Sequence, residues 1–218
     1  MSKINAINNK SGSVTIDPGA SGDSYVQFSI NGTGKFRIGV DDDAADAFKV
    51  SQGSALGSND ALIVTANGEI TRPLQPAFLV ADSTVTNVTG DGTDYTVVWS
   101  TGTEFFDQNN DFDGTSTFTA PVTGKYMFTA DLYLAEISAA HTTGYITLST
   151  SNRDYVVGYI NPGASRTSGN AISLGFSILA DMDSADTAVV KVMVSGGTKV
   201  VDFNGYNRND FFSGYLAC

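Results

Sequence analysis

Apolar and polar positions alternate along this chain with the period of a β-strand almost throughout. In "YVQFSI", Val26, Phe28 and Ile30 share one face; in "KFRIGV", Phe36, Ile38 and Val40 do; in "AFKV", Phe48 and Val50 do. Side chains two apart lie on the same side of a strand, so each segment predicts a strand with a narrow apolar face. "ALIVTANGEI" follows, and its Asn67-Gly68 pair is a tight-hairpin signal. Each strand brings only two or three side chains to bury, and a monomeric sheet made from them is marginal. Two solutions are open. One is a small independent β domain; the other is an intertwined β stalk in which identical chains wind around one another and cover each other's faces. "ITRPLQP", residues 70 to 76, sets two prolines around a short segment and divides the chain into 1–74 and 75–218.

After residue 77 the same period continues with more to bury. "KYMFTADLYL" alternates Tyr126, Phe128, Ala130 and Leu132; "AISLGFSIL" alternates Ile172, Leu174, Phe176 and Ile178; "TAVVKVMV" sets Val190, Val192 and Val194 against Lys191. "TVVW", "GYITLS", "DYVVGYI" and "DFFSGYLAC" are further strand candidates. Strands at short spacing, separated by turn residues and without any helical period, predict an all-β sandwich or jelly roll.

"FTAPVTGKYMF" is the most patterned stretch: Phe118, five residues, then Gly124, Tyr126 and Phe128, with Pro121 and Gly124 expected to make a turn. It resembles the globular head of complement component one, subunit q, whose jelly roll is shared with tumour necrosis factor. "QPAFLV" with Phe78 looks like that family's opening strand, "NNDFDG" with Phe112 and Asp113 like the loop before the motif, and "LADMDSADTAVVKVMV" like a late acidic turn and strand. "FFSGYL", with Phe212, Gly214, Tyr215 and Leu216, looks like the last strand. The likeness covers about residues 75 to 218. It implies a ten-stranded-type jelly-roll head that packs as a homotrimer, and specifies no ligand. "FRIGVDDDAADAFKVS" and "GSNDALIVTANGEITRP" are similar to phrases of bacteriophage tail-fibre and related virion proteins.

Charge removes some classes of partner. The net charge is −11. Residues 1–74 hold 6 basic and 8 acidic side chains, and 75–218 hold 6 and 15. Such a surface repels phosphate backbones and anionic lipid, so neither nucleic acid nor bare anionic membrane is an expected partner. The only cysteine, Cys218, allows no intrachain disulfide. "MSKINAINNK" has no apolar run of the cleavable-leader kind, and no 18 consecutive residues are apolar, so no membrane span is expected.

Candidate chemistry is sparse. Asp107, Asn109, Asp111 and Asp113 place oxygen ligands at alternate positions, the pattern of a calcium loop. The twelfth-position Glu of a helix-loop-helix site is Ala120, which leaves a looser Ca²⁺ site or plain polar turns. "NGTGK", residues 31 to 35, lacks the first glycine of a phosphate loop and is expected to be a hairpin turn. His141, the only histidine, is expected in a loop, or gathered around a metal on a threefold axis. No catalytic set emerges, and the chain is expected not to be an enzyme. The leading expectation is a trimeric bacteriophage virion protein, assembled in the host cytoplasm. Residues 1–74 would anchor it to other virion proteins, and distal head loops would recognise a host glycan or protein through Tyr155, Tyr159, Arg166 and Tyr206. A capsid decoration or head-fibre protein that braces the shell is the alternative, and a surface-polysaccharide-degrading enzyme a third.

Overall fold

Nearly every alternating segment becomes a strand. The computed structural model describes residues 15–19, 21–81, 84–99, 103–204 and 210–218. The chain divides into two units, Met1–Leu74 and Gln75–Cys218. Among the described residues no helix is long and apolar enough to cross a membrane.

In the first unit, β1 (Ser24–Ile30), β2 (Thr33–Asp41), β3 (Ala47–Gln52), β4 (Asp60–Val64) and β5 (Ile70–Thr71) form an antiparallel sheet in chain order. Among the described residues, every ladder of this sheet joins a strand to its neighbour in chain order. The reason is local. Asn31 and Gly32 take φ of 50° and 78°, and Gly68 takes 96°, so tight turns fold β1 onto β2 and β4 onto β5.

The register aligns the apolar positions. Val26 faces Ile38 and Phe28 faces Phe36; Ile38 faces Val50, Val40 faces Phe48, Phe48 faces Val64, Val50 faces Leu62, and Val64 faces Ile70. One side of the sheet is therefore apolar from edge to edge, and it is the more exposed side. The other side carries a buried ion cluster. The Lys49 ammonium lies 2.7 Å from Asp41 Oδ2 and 3.1 Å from Asp60 Oδ2, while Ser51 donates to Asp60 Oδ1 at 2.5 Å. Burial alone would lower the Lys49 pKa, but the hydrogen bonds and charges of the two aspartates outweigh it and hold the pKa above the ordinary value. Lys49 on β3 thus ties β2 to β4. The turn after β3 closes in from the same side: Leu56 is buried and the Gly57 N–H donates to Asp60.

The second unit is a two-layer jelly-roll sandwich. Its larger sheet contains β6 (Ala77–Ala81), β7 (Thr84–Thr89), β9 (Thr103–Asp107), β11 (Gly124–Ala135), β14 (Ile172–Met182), β16 (Val201–Asn204) and β17 (Phe211–Leu216). The smaller contains β8 (Asp94–Thr96), β10 (Phe118–Thr119), β12 (Thr143–Thr150), β13 (Asp154–Ile160) and β15 (Thr187–Ser195). The chain crosses between layers repeatedly, and its last strand returns to pair with its first: Phe212 faces Val80 and Gly214 faces Phe78. That return, with the crossings, makes the unit a jelly roll rather than two stacked meanders.

The patterned stretch sits at the centre of the core. Phe118 packs on Phe78, Tyr126 and Phe128 at centroid distances of 5.1, 5.4 and 5.4 Å, and Phe128 stacks on Phe212 at 5.8 Å. The Tyr126 hydroxyl donates to Val122 O at 2.7 Å and closes the turn after Pro121. The two glycines are needed for space rather than for unusual dihedrals. A Cβ on Gly124 would stand 2.7 Å from Cys218 O, and one on Gly214 would stand 2.6 Å from Phe128 Cδ1 and 2.8 Å from Phe78 Cε1.

Replacing Gly214 by Ala therefore drives a methyl into two buried rings. We expect a loss of about 1–3 kcal/mol in chemical denaturation. Gly114→Ala, where no atom lies within 4 Å of the added Cβ but φ is +70°, should show only the smaller backbone penalty, about 1 kcal/mol.

Candidate functional surfaces

The acidic turn after β9 uses its carboxylates to hold its own backbone. Asp107 accepts the N–H groups of Asp111 and Phe112 at 3.1 and 2.9 Å. Asp113 accepts those of Thr115, Ser116 and Thr117 at 2.8, 2.8 and 3.0 Å. Asn109 lies in the same turn, and Asn110 turns the chain at φ 56°. The two central aspartates are perturbed in opposite directions. Burial and the nearby Asp107 charge raise the Asp111 pKa. Burial also works against the Asp113 carboxylate, but its backbone N–H donors prevail and lower its pKa. Among the described residues, no group of three or more His, Cys, Asp or Glu side chains is arranged to hold a metal ion. The geometry is that of side chains folding a turn.

Of the four head residues singled out for contact, the three described do not share one set of loops. Tyr155 and Tyr159 both lie on β13, a correction to their placement in loops. Tyr155 points inward and packs against the core. Tyr159 is 72% exposed. Arg166 follows the short helix α1 (Pro162–Ser165); it donates to Gly163 O and to Asn170 Oδ1, so its guanidinium braces its own loop. Tyr206 lies outside the described residues.

Tyr159 has a partner that sequence reasoning missed. Between Ile146↔Val157 and Gly144↔Ile160 the β12–β13 register slips, with Gly158 at φ 65°. This bulge re-aims the strand and turns Tyr159 outward. Its ring stacks on Tyr145 at 5.3 Å and 23°. Tyr145 alternates with the buried Gly144 and Ile146, so the period already assigned it to the outer face; only the bulge brings the two rings together. Burial, the Asp94 charge and a hydrogen bond to Asp94 keep the Tyr145 phenol pKa above its ordinary value, so the hydroxyl stays a donor. The pair forms a flat aromatic step on the outer face of the smaller sheet.

The outer face of the larger sheet is different in character. Leu179 and Tyr215 flank Met127 in register, and Phe105 and Phe106 stand exposed on β9. Asp131 lies on this face, its pKa raised by burial. His141 belongs to neither surface: it lies in the connection between β11 and β12, as expected, but is fully buried there. Its Nδ1 accepts the Ser138 N–H at 2.9 Å, and Nε2 lies 3.4 Å from Thr198 O. A Cβ on Gly197 would stand 2.4 Å from the imidazole ring, which shows how closely the backbone encloses it. In the first unit, a cleft of about 310 Å³ is lined by Ala47, Lys49, Ile63, Thr65 and Asn67, but its ammonium is already engaged by Asp41 and Asp60.

Among solved structures, the chain is similar to the globular domain of zebrafish complement 1qA, with 16% identity over 66% of this chain and 98% of that chain, TM-score 0.47. It is similar to Eiger TNF from S. frugiperda at 11% identity over 66% and 93%, TM-score 0.45. It is similar also to murine APRIL at 10% identity over 65% and 98%, TM-score 0.43. No protein-family profile matches the chain, and no curated protein does. The neighbours are of the complement and tumour necrosis factor type, and the jelly-roll assignment itself rests on the strand order and core described above.

Two outcomes follow for the acidic turn. A turn closed by its own N–H groups should melt at the same temperature in calcium and in chelator; a rise of several degrees in calcium would show that the carboxylates hold the ion. The two aspartates should also respond oppositely to removal of their charge. Asp113, with its lowered pKa, contributes stability that is present above the ordinary carboxylate range and lost as pH falls through its folded value. Asp111, with its raised pKa, is favoured while protonated and loses that stability as pH rises through its folded value. Thermal melts at neutral pH should therefore show Asp113→Asn destabilised and Asp111→Asn stabilised, with both differences fading in acid.

Proposed function

We propose that the chain is a structural protein of a bacteriophage virion, a short fibre or spike. Residues 1–74 join it to other virion proteins, and the head, residues 75–218, recognises a host surface structure as part of a homotrimer. It takes its place on the virion after assembly in the host cytoplasm. The observation that carries recognition is the stacked Tyr145–Tyr159 step, which holds an exposed ring away from the core on a rigid strand. An exposed aromatic with a polar tip offers a face for a sugar ring and a hydroxyl for its edge. The homotrimer is supported by the outer face of the larger sheet, where Leu179, Tyr215, Phe105 and Phe106 are each exposed and available for contact between heads. The attachment role rests on the N-terminal phrases that are similar to tail-fibre proteins. On this reading the chain binds and builds, and performs no chemistry.

Tyr159→Ala tests the reading with little risk to the fold, because the ring is largely outside the core. We expect about a tenfold loss of binding to host envelopes by the purified chain, the order of one stacking contact, with an unchanged melting temperature and intact particles. Fragile particles with normal adsorption would instead make the chain a decoration that braces the shell. Release of oligosaccharide from envelopes would make it an enzyme.

A further inference from the structure

The unexplained feature of the first unit is that its sheet is apolar on the side where its described side chains are the more exposed. Val26, Phe28, Ile30, Phe36, Phe48 and Ile70 each stand between 40% and 63% exposed. The buried apolar residues of the described part of this unit are Ala47 and Leu56 alone, and its opposite side buries an ion cluster instead. The unit therefore has almost no hydrophobic core of its own.

We infer that this face is the surface on which copies of this chain associate, so that the core missing from one chain is made between chains. Three observations choose a second copy over another kind of partner. First, the face is set by ladder register over all five strands, from Val26 on β1 to Ile70 on β5, and its paired positions carry no charge, Gln52 opposite Phe36 being polar but neutral. An apolar surface without charges is the character of obligate, self-complementary interfaces rather than of transient ones. Second, the size fits. At about 150–200 Å² for each large side chain, the six exposed residues present roughly 500–600 Å². The half-covered Ile38, Val40, Val50, Leu62 and Val64 between them bring this toward the ~800 Å² per partner of a standard interface. The exposed six alone stand at the upper end of the roughly 300–600 Å² that the largest apolar patch of a monomer commonly covers. Third, a unit with so little core depends on its cover for stability. Another copy is present wherever the chain is made, in the right proportion.

The inference stands apart from host recognition, because it concerns a different unit and holds whether or not the head binds anything. It is tested in the full chain carrying Cys218→Ser, with single cysteines introduced by Phe28→Cys or Phe36→Cys on the apolar face and by Gln27→Cys or Arg37→Cys on the other. A short bismaleimide reads contact between copies, maleimide labelling under native conditions reads cover, and light scattering reads mass. We expect cross-linked species at Phe28 and Phe36 at least tenfold above those at Gln27 and Arg37, with correspondingly slow labelling. Rapid labelling without cross-links, even in a particle held oligomeric by its heads, would show the face bare and overturn the inference. Slow labelling in a monomer would show the chain covering its own face, and would overturn it equally. Cross-linking at all four positions alike would show non-specific encounter, and the inference would fall on that result too.

Discussion

A β-sheet whose side chains alternate apolar and polar cannot leave its apolar face in water without losing most of what stabilises it. Everything in this protein follows from how that demand is met. In the head, two sheets turn their apolar faces toward each other, and Phe78, Phe118, Phe128 and Phe212 fill the space between them. Chain ends are used for the same purpose, because β17 must return beside β6 before the aromatic cluster is complete. In the first unit the described residues supply no second layer, and the same alternation yields a sheet with little core of its own.

The contrast divides the labour between the units. The head is self-sufficient, so its outer surfaces are free to carry what association or recognition requires: an aromatic step on one sheet and exposed apolar side chains on the other. The first unit uses its polar interactions for register instead. Buried ion clusters add little net stability beside apolar packing, yet they penalise every misalignment that separates the charges. Lys49 between Asp41 and Asp60 holds β2, β3 and β4 in one alignment, and that alignment keeps the apolar row continuous.

Much of this was legible in the sequence because it is local. Period two marks the strands and Asn-Gly marks the hairpins, by rules acting over a dozen residues or fewer. The spacing of Phe118, Gly124, Tyr126 and Phe128 spoke through its resemblance to the complement-type head. What escaped was non-local. Nothing near Gly124 reveals that Cys218 O occupies the place of its missing side chain. The bulge at Gly158 changes which tyrosine meets which, and a one-residue slip has no signature in alternation alone. His141 reads as a loop residue because its neighbours are small and polar; it is buried by Gly197 and Thr198, more than fifty residues away. Asp107 and Asp113 have the spacing of ligands, and the structure adds that both accept backbone N–H groups of their own turn.

The closure of each ladder within a single chain has a consequence of another kind. Strands exchanged between chains would leave the copies topologically linked, so that parting them meant unthreading one backbone from another and breaking its hydrogen bonds. In the described chain each sheet is built from consecutive or returning strands of that one chain. Copies meeting on such sheets, as inferred above, would do so as finished surfaces held by buried area. Such an assembly yields to force by sliding or lifting apart as whole pieces, and each piece keeps its shape for the next encounter.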